Sequence, residues 1–204
     1  EIMPSLVGSE MCIRDRLLCD QFVHGVEKED GSLERLEFHN EDKFNFAFDI
    51  VDGLARREPD KLAMVHVAND GTERRFTFKD MKDASSQAAN YFTSLGVKRG
   101  DRVMLVLKRH YQFWFAILGL HKLGAIAIPA TNQLMEHDFT YRFKAAGVSA
   151  IVCTADGDTA HQVDIAEADA GVHLTKVLVG GKREGWHDFD AEYGLFSRGY
   201  TRKD

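Results

Sequence analysis

The sequence predicts an α/β protein built on a mostly parallel β-sheet that is flanked by helices. Three apolar segments predict this class. Val103 to Leu107 is an unbroken apolar run, as expected of a strand buried on both faces. The next segment, Phe113 to Leu123, is long enough to be a helix, and Gly124 ends it. A second apolar run follows at Ala125 to Ile128, so the three segments form a βαβ unit with parallel strands.

The residues before this unit predict an arm, a helix, a β-hairpin and a second helix. Asp70-Gly71 marks the hairpin turn, because Asp-Gly accepts positive φ angles. Helical spacing of apolar residues predicts the two helices. The arm covers residues 17–43 and contains a solvated turn at 27–31. Its apolar residues, Phe22, Leu33, Leu36 and Phe38, are expected to pack as a short amphipathic segment. The elements that follow are a helix at 44–57, strands at 62–67 and 74–78, and a helix at 79–95.

Helices and strands continue to alternate after the βαβ unit, which supports the α/β class. We expect Met135, Phe139, Phe143 and Ala146 to face inward from the first of these helices. The last residues, from Ser197 onward, are polar and predict no element. The predicted elements are a helix at 133–147, a buried strand at 149–154, a polar helix at 160–170, a strand at 174–179 and one short helix at 185–196.

Composition excludes several classes of protein. The 204 residues carry a net charge of −6 with both signs spread along the chain, so no basic face for nucleic acid is predicted. No apolar run reaches the roughly 18 residues that span a bilayer. The chain has only three cysteines, which argues against a disulfide scaffold and favours a reducing, cytoplasmic location. No cysteine and histidine spacing predicts a metal site.

Three motifs occur in an order that is familiar from one enzyme family. They are Phe76-Thr77-Phe78-Lys79-Asp80-Met81, then Arg99-Gly100-Asp101-Arg102-Val103, then the stretch from Leu120 to Pro129. Together they resemble the early core of adenylate-forming acyl-CoA synthetases, in particular the branch of medium-chain acyl-CoA and acetyl-CoA synthetases. The resemblance covers Phe44 to Tyr193. It implies the N-terminal part of the large AMP-binding domain, including an early β-hairpin.

The resemblance also implies a reaction and its participants. Such a ligase makes an acyl-adenylate from a carboxylic acid and ATP with Mg²⁺, and then passes the acyl group to the thiol of CoA. The implied partners are therefore a small carboxylic acid, ATP and CoA, with no nucleic acid and no transmembrane segment. The acid stays open among medium-chain fatty acids, acetate, propionate and aromatic acids, and the sequence predicts no oligomeric state.

The chemistry of the family depends on a Ser/Thr/Gly-rich phosphate loop that ends near a Pro-Lys pair. The nearest candidate in this chain, Gly180-Gly181-Lys182-Arg183, lacks hydroxyls and follows a strand, so we interpret it as a plain turn. By the resemblance, the loop lies beyond Asp204. We therefore expect a fragment that is inactive by itself, that contains no catalytic residue, and that binds no cofactor tightly.

This interpretation divides the chain into three parts. Residues 1–16 resemble a translated sequencing adapter and are expected to be a non-native leader. Residues 17–43 form the arm, and residues 44–204 form an AMP-binding domain that is cut before its phosphate loop.

Parallel strands bind ligands at their carboxyl ends, which places two candidate sites. Lys108-Arg109-His110 either faces an anion or is a solvated strand end, and we favour the solvated end because charge runs usually lie in water. Thr131, Asn132 and Gln133 match a stretch near the pantetheine path of acetyl-CoA synthetases, which implies CoA binding. That stretch is glycine-rich in the family and is not in this chain, so a turn with a helix cap is the alternative.

The remaining candidates have plainer explanations. His121 is expected at the surface or at the sheet edge, and the aromatic run Phe113-Trp114-Phe115 is expected to pack in the core rather than stack on bases. Asp156, Asp158 and Asp164 lack the spacing of metal ligands. A different class of function stays open, because 204 residues are enough for a self-contained α/β binding or regulatory module without ligase chemistry.

Overall fold

The computed structural model describes residues 21 to 203, which fall into two compact units with their boundary between Phe44 and Asn45. The predicted leader, residues 1–16, lies outside the described residues. The first unit contains an antiparallel hairpin of β1 (Val23–Glu27) and β2 (Leu33–Phe38). Its turn is solvent-exposed, with Gly31 at a φ of +80°, as predicted.

The predicted packing of the arm is wrong for the apolar side chains of β2. Leu33, Leu36 and Phe38 are 58%, 49% and 57% exposed. A two-stranded hairpin offers its apolar residues no second layer to pack against, which explains this exposure. Phe22 instead contacts Phe44 edge-to-face, with ring centroids 5.1 Å apart.

The second unit contains the remaining strands and all of the described helices. They follow the predicted order closely, and the first helical turn is a π-helix rather than an α-helix. The elements are α1 (π-helical, Phe46–Val51), α2 (Asp52–Arg57), β3 (Leu62–Val67), β4 (Glu73–Thr77), α3 (Phe78–Ser94), β5 (Arg102–Val106), α4 (Gln112–Leu123), β6 (Ile126–Pro129), α5 (Glu136–Ala146), β7 (Ala150–Thr154), α6 (Thr159–Ala170), β8 (Thr175–Val179), β9 (His187–Asp188) and α7 (Phe189–Glu192).

The predicted parallel sheet is confirmed. Its five strands run in the order β6-β5-β7-β8-β9, and every neighbouring pair is parallel. Strands β3 and β4 form a separate antiparallel hairpin, also as predicted. The alternation of side chains along the strands sends Val103 and Leu105 into one hydrophobic cluster, and Met104 and Val106 into another. Both faces of the sheet are therefore buried here, which is why β5 is apolar from Val103 to Val106.

Helices α3 and α4 pack closely on one face of the sheet. A Cβ atom added at Gly119 would lie 2.9 Å from the Cβ atom of Ala88 and 3.0 Å from the backbone nitrogen of Ala89. Small residues at this crossing therefore set the distance between the two helices. A capping box begins α3, because Thr77 and Asp80 accept each other's backbone N–H groups.

Two predictions about the C-terminal half are wrong. Helix α5 begins at Glu136, and the preceding Met135 is extended and 48% exposed, because Asp138 accepts the N–H of Met135 and fixes the start of the helix there. The single helix expected at 185–196 is instead β9, α7 and a 3-10 turn at Tyr193–Leu195. The extended Asp188 caps α7 by accepting the N–H of Ala191, so no helix continues through it.

The polar residues after α7 are held along helix α3. Gln87 donates hydrogen bonds to the carbonyl oxygens of Gly194 and Phe196, at 2.8 and 3.1 Å. Asn90 donates to the carbonyl oxygens of Ser197 and Gly199, both at 2.9 Å. Within residues 21–203, no helix has the length and apolar character needed to cross a membrane.

Candidate functional site

The carboxyl ends of the central strands meet at one edge of the sheet. The chain runs from β5 to β6 on one side and then returns to β7 on the other side of β5. Loops that leave such a strand in opposite directions open a crevice, and ligands of parallel sheets bind there. A cavity of about 460 Å³ lies at these ends, and five of its lining residues are Lys108, Arg109, His110, Asn132 and Asp156.

His110 joins the two loops that border this crevice. Its Nε2 atom lies 2.8 Å from the hydroxyl oxygen of Thr154, at the end of β7. The Asp156 carboxylate is 3.8 Å from the same nitrogen and 3.8 Å from the Lys108 ammonium. Burial lowers the pKa of His110, and the negative charge of Asp156 opposes this effect. The His110 side chain therefore connects the loop after β5 to the end of β7.

The cluster Lys108-Arg109-His110 is only partly a solvated strand end. Lys108 and Arg109 are exposed, whereas His110 is half-buried. The backbone oxygen of Arg109 accepts a hydrogen bond from Nε2 of His66 at 2.9 Å, so the proton of His66 is on Nε2. The guanidinium of Arg109 makes no ion pair within the described part of the chain and lines the cavity.

Thr131, Asn132 and Gln133 form the turn between β6 and α5. Thr131 accepts the N–H of Gln133 through its hydroxyl oxygen at 3.3 Å, and the carbonyl oxygen of Asn132 accepts from the Thr159 hydroxyl at 3.3 Å. Only Asn132 lines the strand-end cavity, while Thr131 and Gln133 are exposed to solvent. The turn itself is thus observed, and CoA binding by these three residues stays a prediction.

Gly180 and Gly181 have structural roles in the bend after β8: one donates a hydrogen bond to a carboxylate, and the other packs closely against a neighbouring side chain. The N–H of Gly180 donates to Oδ2 of Asp190 at 2.8 Å, and Gln112 donates to Oδ1 of the same carboxylate at 2.7 Å. A Cβ atom at Gly181 would lie 2.8 Å from the Cβ atom of Ala155. Because a protein carboxylate already uses the Gly180 N–H, this bend offers little to a phosphate.

The structure contains a buried ion pair between helices α2 and α4 that the sequence did not predict. The Lys122 ammonium lies 2.9 Å from Oδ1 of Asp52, and the two residues are only 4% and 5% exposed. Burial lowers the pKa of Lys122 and raises the pKa of Asp52, while each partner opposes the shift of the other. Neither residue has a spacing that marks it in the sequence. The neighbouring His121, for which we expected a place at the surface or at the sheet edge, is half-buried, and burial lowers its pKa.

The aspartates considered as metal ligands have other partners. Asp164 accepts hydrogen bonds from Lys176, Arg183 and Trp186, and Asp158 accepts from Gln162. In residues 21–203, no group of three or more His, Cys, Asp and Glu side chains is arranged to hold a metal ion.

The aromatic run at the start of α4 packs as predicted only in part. Phe115 is buried in the core, Phe113 is partly buried, and Trp114 is 50% exposed. The run therefore supplies core packing on one side of α4, while the indole of Trp114 stays accessible.

Comparison with known proteins gives a consistent result. The sequence model of the family described as AMP-binding enzyme matches residues 51–193. The chain is 35% identical over 157 residues to acyl-coenzyme A synthetase ACSM2, mitochondrial, of Rattus norvegicus, covering 73% of this chain and 27% of the relative. It is 37% identical over 153 residues to acyl-coenzyme A synthetase ACSM5, mitochondrial, of the same species, covering 72% and 26%. The chain thus spans about a quarter of the length of these curated relatives.

Solved structures share the fold. The anthranilate CoA ligase AuaEII, in complex with anthranoyl-AMP, superposes with a TM-score of 0.65 at 21% identity, over 78% of this chain and 30% of that chain. An acyl-CoA synthetase of Brucella canis superposes with a TM-score of 0.65 at 23% identity, over 78% and 29%.

Proposed function

The chain belongs to the AMP-binding enzyme family, and from this premise we propose that it forms part of the scaffold of an ATP-dependent acid–CoA ligase. The whole ligase would convert a carboxylic acid, ATP and CoA into acyl-CoA, AMP and diphosphate through an acyl-adenylate. The observation that carries the proposal is the family match over residues 51–193, which includes the whole five-stranded parallel sheet. The relatives at 35% and 37% identity are acyl-CoA synthetases by name, which supports the same activity.

The residues present do not fit ATP and Mg²⁺. The sequence has no Ser/Thr/Gly-rich loop followed by Pro-Lys, and the N–H of Gly180 in the nearest candidate is used by Asp190. Backbone N–H groups that cradle phosphates are the usual means of holding ATP in such a site. We therefore assign no step of adenylation to this chain, and we expect the 204 residues alone to have no ligase activity.

The CoA path is the part of the site for which this chain supplies candidate groups. Asn132, Lys108 and Arg109 line the strand-end cavity, and their side chains carry one amide and two cationic groups. Pantetheine carries two amides, which pair well with an Asn side chain, whereas a phosphate pairs with Arg or Lys. Thr131 and Gln133 flank Asn132 at the exposed rim. We propose that these three residues contact the pantetheine arm and that the cations face the charged end of CoA.

The reaction is tested on a polypeptide extended to the length of the relatives. Acid-dependent exchange of diphosphate into ATP, measured with acetate, propionate, octanoate and benzoate, is expected for at least one acid, followed by formation of its CoA thioester. Absence of exchange with every acid, in a protein that is folded by circular dichroism, would remove the ligase proposal.

The CoA path is tested on the chain itself with pantetheine, which lacks a nucleotide. We expect NMR shifts at the turn that contains Asn132, and a loss of these shifts in Asn132→Ala. Ser197→Ala, which changes a polar side chain outside this cavity, serves as the matched control. Shifts that persist unchanged in Asn132→Ala would contradict the assignment of this turn.

A self-contained binding module is not favoured, because the relatives found are ligases. For the compartment, we propose the cytoplasm, because a chain with only three cysteines suits a reducing compartment. The two rat relatives are mitochondrial by name, so fractionation of cells that express the complete gene decides between the two compartments.

A further inference from the structure

A second cavity, of about 520 Å³, lies between strand β4, helix α3 and the residues that follow α7. It shares no lining residue with the strand-end cavity, so it is a separate site. Its volume is within the range of small-molecule pockets. Two features of its lining indicate the chemical class of ligand that would fit: cationic side chains outnumber carboxylates, and tyrosine rings form part of the wall.

The carboxylates that line this cavity are already used. Asp83 pairs with Lys79 at 2.7 Å. Asp80 accepts hydrogen bonds from both the N–H and the hydroxyl of Thr77, each at 2.8 Å, as part of the helix cap. Lys79 therefore neutralises Asp83, whereas Asp80 is held in the helix cap and keeps its negative charge. The lining still carries four cationic side chains against two carboxylates, so its net charge is positive.

Two of the lining arginines have no carboxylate partner, whereas the third has one. Arg75 pairs with Glu73 at 3.3 Å. Arg74 and Arg198 make no ion pair within residues 21–203. Arg74 instead lies over the ring of Tyr111, with its guanidinium carbon 5.6 Å from the ring centroid. The cavity thus holds two guanidinium groups whose hydrogen-bond donors are free for an anion.

The backbone on both sides of Arg198 is held by hydrogen bonds from helix α3. The side-chain amide of Asn90 donates to the carbonyl oxygens of Ser197 and Gly199, both at 2.9 Å. Helix α3 therefore holds this irregular segment in place, and Arg198 extends from a loop whose backbone is hydrogen-bonded on both sides. Holding a ligand group in place before binding reduces the entropy that binding would otherwise cost.

Two tyrosines supply the remaining wall. Tyr111 and Tyr193 are both half-buried, and burial raises the pKa of each phenol. The negative charge of Asp190 adds to this pKa shift for Tyr111, and Tyr111 followed by Asp190 adds to it for Tyr193. Both phenols therefore stay protonated at neutral pH, as hydrogen-bond donors. The Asp190 oxygens accept from Gly180 and Gln112, so this carboxylate does not compete for the arginines. Tyrosine faces next to a free guanidinium suit a planar ring that carries a negative group.

We propose that this cavity binds a nucleoside monophosphate, with the phosphate between Arg74 and Arg198 and the base against the ring of Tyr193, because Arg74 already covers the ring of Tyr111. A phosphate dianion matches two guanidinium groups in charge and in hydrogen-bond geometry. The proposal goes beyond the ligase function, because the site contains neither a phosphate loop nor a residue of the strand-end cavity.

Binding is tested on the chain by calorimetric titration with AMP, inorganic phosphate and adenosine. AMP is expected to bind most tightly, since each of the other two probes uses only half of the site. Arg74→Gln and Arg198→Gln are each expected to weaken AMP binding about tenfold or more, because each removes a charge-assisted pair. Arg75→Gln is the matched control, since it removes an arginine of the same cavity that is already paired, and AMP affinity should then stay within about twofold. Tyr193→Leu should weaken AMP and adenosine but leave phosphate unchanged.

Three results would overturn the proposal of this site. They are no AMP binding, the same AMP affinity in all three arginine variants as in the wild type, or a loss of affinity in Arg75→Gln as large as in Arg74→Gln and Arg198→Gln. Thermal melting of each variant shows that it is folded, and Arg74→Lys retains the charge if Arg74→Gln fails to fold. Arg74→Lys is expected to retain part of the affinity, and loss of all binding in this variant when folded would also count against the site. Pantetheine shifts at Asn132 are expected to be unchanged in Arg74→Gln and Arg198→Gln, so failure of this site and failure of the CoA path are distinguishable.

Discussion

The buried ion pair gives the sharpest test of how the core is held together. In the variant Lys122→Met, the carboxylate of Asp52 stays 5% exposed but loses the ammonium that lay 2.9 Å from it. The ammonium also donates to the Ser86 hydroxyl at 2.9 Å and to the carbonyl oxygen of Lys82 at 3.2 Å. Removing one partner of a buried pair typically costs about 3–5 kcal/mol, because the remaining charge is uncompensated. We expect a loss of this size in the free energy of unfolding.

The loss should depend on pH in a defined direction. Burial already raises the pKa of Asp52 above its ordinary value of 3.8, and Lys122 opposes this shift. In Lys122→Met the opposing effect is gone, so the pKa of the folded state rises further. A carboxyl with a raised pKa in the folded state favours folding when protonated, and this advantage is lost as the pH rises through that pKa. The deficit of the variant should therefore shrink as the pH falls towards 3.8.

Urea unfolding followed by tryptophan fluorescence measures both effects. The double variant Asp52→Leu/Lys122→Met, which replaces the pair with apolar groups, should recover most of the lost stability. The matched control is Lys79→Met, which breaks an ion pair of 2.7 Å whose lysine is 55% exposed, and it should cost less than about 1 kcal/mol. A loss in Lys122→Met no larger than in this control, with no dependence on pH, would refute the reasoning.

Three further predictions concern a helix crossing, a helix cap and a thiol. Gly119→Ala should lower the free energy of unfolding in urea by about 1–3 kcal/mol, despite the higher helix propensity of alanine, because its Cβ would lie 2.9 Å from the Cβ of Ala88. The control Gly53→Ala should not destabilise the fold, since its Cβ meets only the end of an arginine side chain at 3.9 Å. A stabilised Gly119→Ala would contradict the close packing of α3 and α4. Thr77→Ala should cost about 1 kcal/mol in the same assay by removing the capping box, and an unchanged midpoint would argue against that box. Cys153 is buried, and burial raises the pKa of its thiol to about 12. It should therefore react with a thiol reagent at pH 8 only after the chain unfolds, as measured by mass spectrometry of the labelled peptide. Rapid labelling of the folded chain would disprove its burial.

The sheet was predictable from sequence because its signals are local. An apolar run such as Val103–Leu107 is long enough to identify a buried strand, and a glycine such as Gly124, with a φ of +77°, marks the end of a helix. The two errors in the C-terminal half lie where one side-chain hydrogen bond decides the backbone conformation. Asp188 breaks the helix expected at 185–196 in this way, and the signal of a capping aspartate is too common in sequences to be decisive.

The candidate sites were harder to predict, because they depend on contacts between distant residues. The carboxyl ends of the strands identified His110 and Asn132 as neighbours of one edge, and both line the cavity there. Nothing in the sequence indicated that Lys122 pairs with Asp52, 70 positions earlier, since a lysine on an apolar helix usually lies in water. The same holds for Arg198, whose position depends on hydrogen bonds from Asn90.

The order of the strands has a consequence for synthesis on the ribosome. Strand β5 (Arg102–Val106) lies between β6 and β7, and β7 ends only at Thr154. A nascent chain therefore carries the apolar segment 103–106 with one open edge until some fifty further residues have emerged. At roughly 5–20 residues per second, this interval lasts several seconds, during which the segment is free to join another chain. Slow translation between the codons of β6 and β7 would lengthen that interval and increase the demand for chaperones.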